Sequence, residues 1–443
     1  MKKRVLFIAY YFPPMGGAPA QRTLNFIRYL PPEGYLPEVI TGPGRSNDRW
    51  APGDRSLLQG IPSNVSVFRI KENSEIEKGG IFSKFARWCL IESSFSKWWK
   101  DSAVSIGESL LKNGGFNLIY ASMSPFQSSS IAASLSNRYG IPWVADLRDA
   151  WALDEIQLYP SYLHRKIELM KMYRVLKTAS LVIMNTPQAK AALLNKFPDF
   201  ISRNVACITN GFDSEGFKEQ SIGEKGDRFR IVHTGSFFTD LGLEFRRKKL
   251  LYRALGGCDS GVDIATRSHL ILLEAMERWS NNDPDISRKI EIVMVGNASK
   301  EERRIAGRTV ALDNLCRFTG YVSREESLAL VRSADLLFLA MHNLPEGRRS
   351  TSIPSKMYDY MASGRPILAA VPDGDARDWL KQCGTAFLCR PDDVGGMLNN
   401  IRKVYTAWQK GIQIVTVNKD FLKQFDRRVL TKRLAEEFDK LLG

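Results

Sequence analysis

At 443 residues the chain has room for two ordinary domains and their connections. Hydrophobic residues make up 44% and charged residues 25%, which excludes an intrinsically disordered chain, and no apolar run approaches the ~20 residues that span a bilayer. The formal charge of +15 implies attraction to something acidic (nucleic acid, anionic lipid or phosphorylated small molecules) without saying which.

Met1-Lys2-Lys3-Arg4 followed by an apolar run imitates a secretory leader, with Ala18-Pro19-Ala20 as its cleavage site. Two tyrosines, Pro13-Pro14 and Gly16-Gly17 make a poor leader core. The same residues make a good buried strand over 5–9 and a glycine loop after it. Short aliphatic runs at 38–41, 65–70, 117–121, 143–146, 181–185 and 205–209 read as further strands, several of them apolar on both faces. Helices are expected between them, for instance at 20–30, 126–139 and 164–178. Thr186-Pro187 sets a cap residue before a proline and opens another helix. This alternation predicts a doubly wound parallel sheet. The segment 81–100 mixes Phe82, Phe85, Trp88, Phe95, Trp98 and Trp99 with Lys84, Arg87, Lys97 and Lys100. It reads either as core helices with solvated lysines or as a face that inserts aromatics among lipid headgroups.

After Asn210-Gly211 the pattern pauses, and residues 212–227 are polar without apolar periodicity. The expected division is an N-terminal Rossmann-like domain over 1–212, a linker over 213–227 and a C-terminal Rossmann-like domain over 228–419. A last amphipathic segment, 420–443, can pack back on the first domain. In the second domain strands are expected at 229–233, 290–295, 315–319, 335–340 and 367–371, with helices at 268–281, 300–311, 354–363 and 391–408. Ser323-Arg324-Glu325-Glu326 is a capping box for one more helix. The stretch 239–266 is a long insertion carrying Arg246-Arg247-Lys248-Lys249 and Gly256-Gly257; a loop of that length suggests a lid or a mobile segment. The six cysteines (Cys89, Cys207, Cys258, Cys316, Cys383 and Cys389) form no C-x-x-C pair, which argues against a metal site and for reduced thiols in a cytosolic protein.

Four segments fall at strand ends, where ligands bind in such sheets. Pro13 to Gly17 lets backbone approach a ligand, but no G-x-G-x-x-G follows and no acidic residue ends the second strand, which disfavours a dinucleotide dehydrogenase. Asp146-Leu147-Arg148-Asp149 gathers two carboxylates and an arginine that are costly to bury unless paired, so a structural Asp–Arg pair competes with a catalytic one. His233-Thr234-Gly235-Ser236 offers a second close-approach glycine, with His233 read as a satisfied core residue. The fourth segment, Ser350 to Leu368, is the most informative. Its small residues Thr351, Ser352, Ile353 and Ser355 let backbone N–H groups converge on an anion before a helix that opens near Pro354. Asp359, one turn further in, is placed to accept hydroxyl hydrogen bonds. Glu346, Arg348 and Arg349 precede it, and Tyr321-Val322 can meet a base edge. Phosphate at the helix mouth with sugar hydroxyls on the carboxylate describes a nucleotide-diphosphate site. The basic residues are dispersed rather than gathered on a recognition helix, so no nucleic-acid partner is expected.

In order along the chain, Phe12 to Gly17, Asp146 to Trp151, Thr209-Asn210-Gly211-Phe212-Asp213, His233 to Ser236 and Ile353 to Gly364 together resemble the GT-B-fold glycosyltransferases of family 4, the bacterial group 1 enzymes. The resemblance implies two Rossmann-like domains facing across a cleft. It implies retaining, metal-independent transfer of a sugar from a UDP- or GDP-linked donor, with no cofactor. The expected acceptor is a glycan or polyprenyl-diphosphate-linked molecule, in cell-surface polysaccharide biosynthesis, with the protein cytoplasmic or peripheral on the inner face of the membrane. Carried over, Asp359 holds the ribose, backbone of Ser352 and Ile353 cradles the diphosphate, and Arg267, with Lys356 second, neutralises the leaving phosphate. Gly16 and Gly17 approach the donor from the N-terminal side, and Arg148-Asp149 stands where relatives have a His–Asp pair. The family's first glutamate is replaced by Thr351, and any of Arg246, Arg247, Lys248 or Lys249 can stand in for Arg267. An epimerase or phosphorylase on the same scaffold, or a nucleotide-sugar-binding protein without catalysis, are the alternative readings.

Overall fold

The computed structural model describes residues 2–45, 51–73, 92–202, 204–217 and 226–443. The chain forms two compact units. One comprises Met1–Asn210, Leu255–Gly257 and Arg427–Gly443; the other comprises Gly211–Ala254 and Cys258–Asp426.

Among the described residues the first unit holds seven strands: β1 (Lys3–Ile8), β2 (Tyr35–Thr41), β3 (Ser66–Arg69), β4 (Phe116–Met123), β5 (Trp143–Leu147), β6 (Leu181–Met184) and β7 (Val205–Cys207). They pair in parallel in the order β3-β2-β1-β4-β5-β6-β7. Period-two alternation sends Leu6, Ile8, Ile119 and Ala121 into one core layer and Val5, Phe7, Leu118 and Tyr120 into the other. Burial on both faces explains why these strands are continuous apolar runs rather than alternating ones. The helix Arg427–Leu442 covers the second layer with Leu430, Leu434 and Phe438.

The second unit holds β8 (Phe229–Thr234), β9 (Ile290–Val295), β10 (Cys316–Gly320), β11 (Leu336–Ala340), β12 (Ile367–Ala370) and β13 (Ala386–Cys389), all parallel, in the order β10-β9-β8-β11-β12-β13. In each sheet the order reverses beside its first strand, between β1 and β4 and between β8 and β11. Connections leave such neighbours in opposite directions and open a crevice at their carboxyl ends.

Several local signals form as read. Thr186 Oγ1 accepts from Ala189 N, and Ser323 with Glu326 closes the reciprocal capping box. Other expectations change. The insertion is not a structureless lid: Thr239–Ala254 is a helix, seated where Gly242 lies against the Ala265 backbone and Arg246 forks onto Asp263 at 3.1 and 2.7 Å. The terminal segment is two helices, Lys419–Lys423 in the second unit and Arg427–Leu442 in the first. Strand β13 and the helix Asp375–Cys383 are not among the expected elements; Ala386 to Cys389 is an apolar run and Ala376, Leu380 and Cys383 share one buried face, but four and nine residues are short for a periodicity to be read. Within 81–100, Phe82, Lys84, Phe85, Arg87 and Trp88 lie outside the described residues. Trp99, in the helix Ser94–Lys112, is fully buried with its Nε1 donating to Ser128 Oγ, and Trp98 packs on the same core. The described half of that segment is therefore core, not an interfacial face. No disulfide joins the described cysteines. Burial pushes the Cys316 and Cys389 thiols up to about 12, so they are inert packing groups.

Candidate active site

At the reversal point of the second sheet, β8 ends in His233-Thr234 and the chain turns through Gly235 with φ +86°. His233 Nδ1 donates across to the Phe338 carbonyl of β11 at 2.9 Å, which leaves Nε2 as an acceptor. Lys356 Nζ donates to that nitrogen at 3.0 Å. Burial first, and then the neighbouring Lys356 ammonium, hold the imidazole neutral, well below its usual range, and its ring stacks on Phe237 with centroids 3.9 Å apart. Lys356 itself is pushed down to about 7 by burial and then by the positive field of Arg267. A lysine that is expensive to charge and faces a second cation is prepared for an anion. Arg267, whose guanidinium lies over Phe238 at 4.3 Å, supplies the second cation.

Gly235 is what lets this happen. A Cβ there would stand 3.2 Å from Lys356 Nζ, in a left-handed conformation that side chains resist. Gly235→Ala should cost about 1–2 kcal/mol of stability in urea unfolding and displace the ammonium. The two neighbouring strands end the same way: Gly296 N donates to Gly320 O at 2.9 Å, and both glycines have positive φ. Tyr321 follows, 38% exposed, while Val322 is half-buried against the core.

The 350–355 loop is tied to β12's exit by Ser350 N donating to Asp373 O at 2.8 Å. Thr351, Ser352 and Ser355 are half-buried and Ile353 is buried. Ser352 N already donates to Ser350 Oγ, at a long 3.3 Å. The helix itself runs Lys356–Ser363, two residues later than the proline suggests, so Pro354 and Ser355 form the turn into it. Asp359 is not an open carboxylate. Arg324 forks onto it at 2.8 and 2.6 Å, and it is 7% exposed. Arg348 is paired with Asp259, and Arg349 with Asp378, so neither joins Lys356. Arg246 and Lys248 are likewise held by Asp263 and Glu244, and the cation whose field acts on Lys356 is Arg267.

In the first unit the helix Gly17–Tyr29 sends Arg22 to the end of β5. Its Nε and Nη2 meet Asp146 at 2.8 and 2.7 Å, and its remaining protons reach the Ile208 and Thr209 carbonyls and Asn210 Oδ1. Asp146 is thus the structural half of an Asp–Arg pair, with Arg22 rather than Arg148 as partner. Arg148 turns to the Met123 carbonyl at 3.3 Å and lies 3.5 Å from Asp149, whose carboxylate is exposed. Asn185 fastens this corner, donating to Arg148 O and accepting from Asn210 N. Gly16 N is taken by Pro52 O at 2.6 Å, so of the glycine pair it is Gly17, with φ +81°, that begins the helix. Three residues escaped the sequence reading. His233 reads in the sequence as a core residue, whereas its Nε2 lone pair meets Lys356. Arg22 and Arg324 sit on helix faces with nothing local to mark them.

Among the described residues no cluster of three or more His, Cys, Asp or Glu is placed to hold a metal ion, and no helix is long and apolar enough to cross a membrane. Residues 262–407, which include Arg267, Tyr321, the 350–355 loop, Lys356 and Asp359, match the family model described as glycosyl transferases group 1. Among curated proteins none matches the chain. Solved structures similar over the whole length include sucrose-phosphate synthase of Thermosynechococcus elongatus (14% identity, 99% of each chain, TM-score 0.68). Anabaena HepE, solved in complex with UDP and glucose, is 19% identical over 98% of this chain and 99% of that one, with a TM-score of 0.61. A UDP-forming α,α-trehalose-phosphate synthase of Burkholderia xenovorans is 10% identical over 100% of both chains, with a TM-score of 0.63. The chain therefore has the GT-B fold, and the part of the second unit that carries Lys356 and Arg267 matches the model of the group 1 glycosyl transferases.

Proposed function

We propose that the protein is a retaining glycosyltransferase of family 4 that moves a sugar from a nucleoside-diphosphate donor, without a bound metal, to a glycan or lipid-linked acceptor in cell-surface polysaccharide synthesis at the inner face of the membrane. The observation that carries this reading is the meeting of Lys356, Arg267 and the Gly235 turn at the reversal point of the second sheet. Solved relatives of the same fold bind UDP and UDP-glucose, which supports a nucleotide sugar as donor.

In transfer the anomeric carbon–oxygen bond to phosphate breaks, and its electron pair stays on the phosphate oxygen. The acceptor hydroxyl forms the new carbon–oxygen bond on the same face, and its proton passes to the leaving phosphate. Charge accumulates on the diphosphate, so Arg267 and the Lys356 amine, positioned before it arrives and protonated in its presence, act where stabilisation is worth most. Neutral His233 fixes the Lys356 amine through Nε2 and adds no third charge. Asp359, with each oxygen already accepting one Arg324 proton, keeps a second lone pair on each for the ribose hydroxyls.

Thermal unfolding with a panel of UDP- and GDP-sugars tests the donor step. At a hundredfold excess over Kd, one donor should stabilise the protein by about 2.7 kcal/mol, and acceptor-dependent release of the nucleoside diphosphate should follow. Asp359→Ala should abolish the preference for that donor over its 2′,3′-dideoxyribose analogue. No shift with any nucleotide sugar would end the proposal. Isomerised free donor, or release that requires inorganic phosphate, would replace it with the epimerase or phosphorylase reading.

A further inference from the structure

The helix Thr239–Ala254 shows its two sides very differently. One side is anchored: Gly242 and Phe245 are buried, and Arg246 is clamped by Asp263. The other side, at its C-terminal end, faces solvent with Arg247, Leu250, Leu251 and Ala254, which share one face by their spacing of three and four. Leu250 is 81% exposed and Leu251 57%. Arg247, Lys249 and Arg253 lie beside them along the helix, Arg246 and Lys248 being held by Asp263 and Glu244, and the helix's acidic residues, Asp240 and Glu244, lie in its first two turns.

We infer that this end of the helix is a docking surface for an anionic lipid bilayer, with Leu250 and Leu251 entering the headgroup layer and the surrounding cations resting on lipid phosphates. The charge argues for this occupant over others. A second copy of the chain would bring the same cations and be repelled. Nucleic acid would satisfy the cations but leave two adjacent leucines in water. An anionic membrane alone offers both a negative surface and an apolar layer directly beneath it. The anchored side makes the surface a rigid one, so docking orders no new segment. The inference is independent of the donor site.

Flotation of the full-length protein with vesicles of about one-third phosphatidylglycerol in phosphatidylcholine tests it. Wild type should bind these vesicles, release at high salt, and ignore vesicles of pure phosphatidylcholine. Arg247→Gln with Arg253→Gln should weaken binding about thirtyfold, at a factor of about five per charge near the surface. Leu250→Ser with Leu251→Ser should weaken it at least as much as a single charge does, while leaving the melting temperature and the nucleotide-sugar shift as in wild type. Absence of vesicle binding at low salt, or equal binding by both double variants and wild type, overturns the surface. So does a dimer in sedimentation equilibrium that Leu250→Ser with Leu251→Ser dissolves while vesicles still float wild type equally well. If vesicle binding fails while the nucleotide-sugar shift persists, the docking surface is wrong and the donor site stands; the reverse outcome separates them the other way.

Discussion

Arg22→Met should destabilise the first unit by about 3–5 kcal/mol, because it strands the Asp146 carboxylate with no exposure to solvent. The wild-type pair survives burial only because every guanidinium proton is used: two on Asp146, two on the Ile208 and Thr209 carbonyls, one on Asn210. Removing the arginine leaves a charge, two carbonyls and an amide oxygen unpaired together. Calorimetry separates the two units, and only the transition of the first should fall. Arg22→Met combined with Asp146→Leu should recover most of the loss, since a buried ion pair replaced by apolar groups of similar volume is often neutral. Equal destabilisation by the single and double variants would mean that the carbonyl contacts, not the stranded charge, set the cost. In either case a nucleotide-sugar shift in the second unit should persist.

That pair also shows how far residues announce their partners. The sequence places Asp146 at a strand end and requires it to be paired, because a lone buried carboxylate is too costly. The neighbour Arg148 was the obvious partner. The true one is 124 positions away, on the helix after β1, and only the strand order brings β1's helix beside β5. The same limit applies at Asp359. Its position on the helix was readable, but its Arg324 partner comes from the helix after β10, and nothing in Ser323-Arg324-Glu325-Glu326 marks that arginine beyond the capping box.

Strands were more legible than ligands for a physical reason. A parallel strand covered on both faces must be apolar throughout, so β1, β5, β6, β9 and β11 stand out as runs. Edge strand β13 is apolar as well, Ala386 to Cys389, but its four residues are too few to tell a strand from a buried helix segment. The glycine turns were legible too, because positive φ restricts the residue type at Gly235. What the turn makes room for was not. The Lys356 ammonium beside Gly235 is a contact between segments more than a hundred residues apart, and a basic side chain in a sequence looks the same whether it is solvated or aimed at a site.

Lys356 carries the larger catalytic prediction. Lys356→Met should lower kcat/KM for donor by about 10²–10³, since it removes one preorganised cation from the leaving diphosphate. Its pH dependence distinguishes this from a loss of packing. In the empty site the amine titrates near 7 rather than 10.5, because burial and Arg267 oppose its charge. A bound diphosphate favours the ammonium, so above pH 7 donor binding must take up a proton. Donor affinity should be flat below about pH 7 and fall with rising pH above it, by up to tenfold per unit, until the bound-state value is reached. His233 does not contribute, being held neutral well below this window. Both donor phosphates are diesters and stay ionised throughout it. Lys356→Arg keeps its charge at every pH in this range, so its affinity profile should be level where the wild type falls, and Lys356→Met should be level but weak. The unliganded protein should respond in the opposite sense. A lysine whose folded value lies below its unfolded one makes unfolding take up a proton between pH 7 and 10.5, so its contribution to stability rises with pH across that interval. A wild-type affinity profile that is level across pH 7–9, with Lys356→Met still tight, would place the leaving-group charge elsewhere.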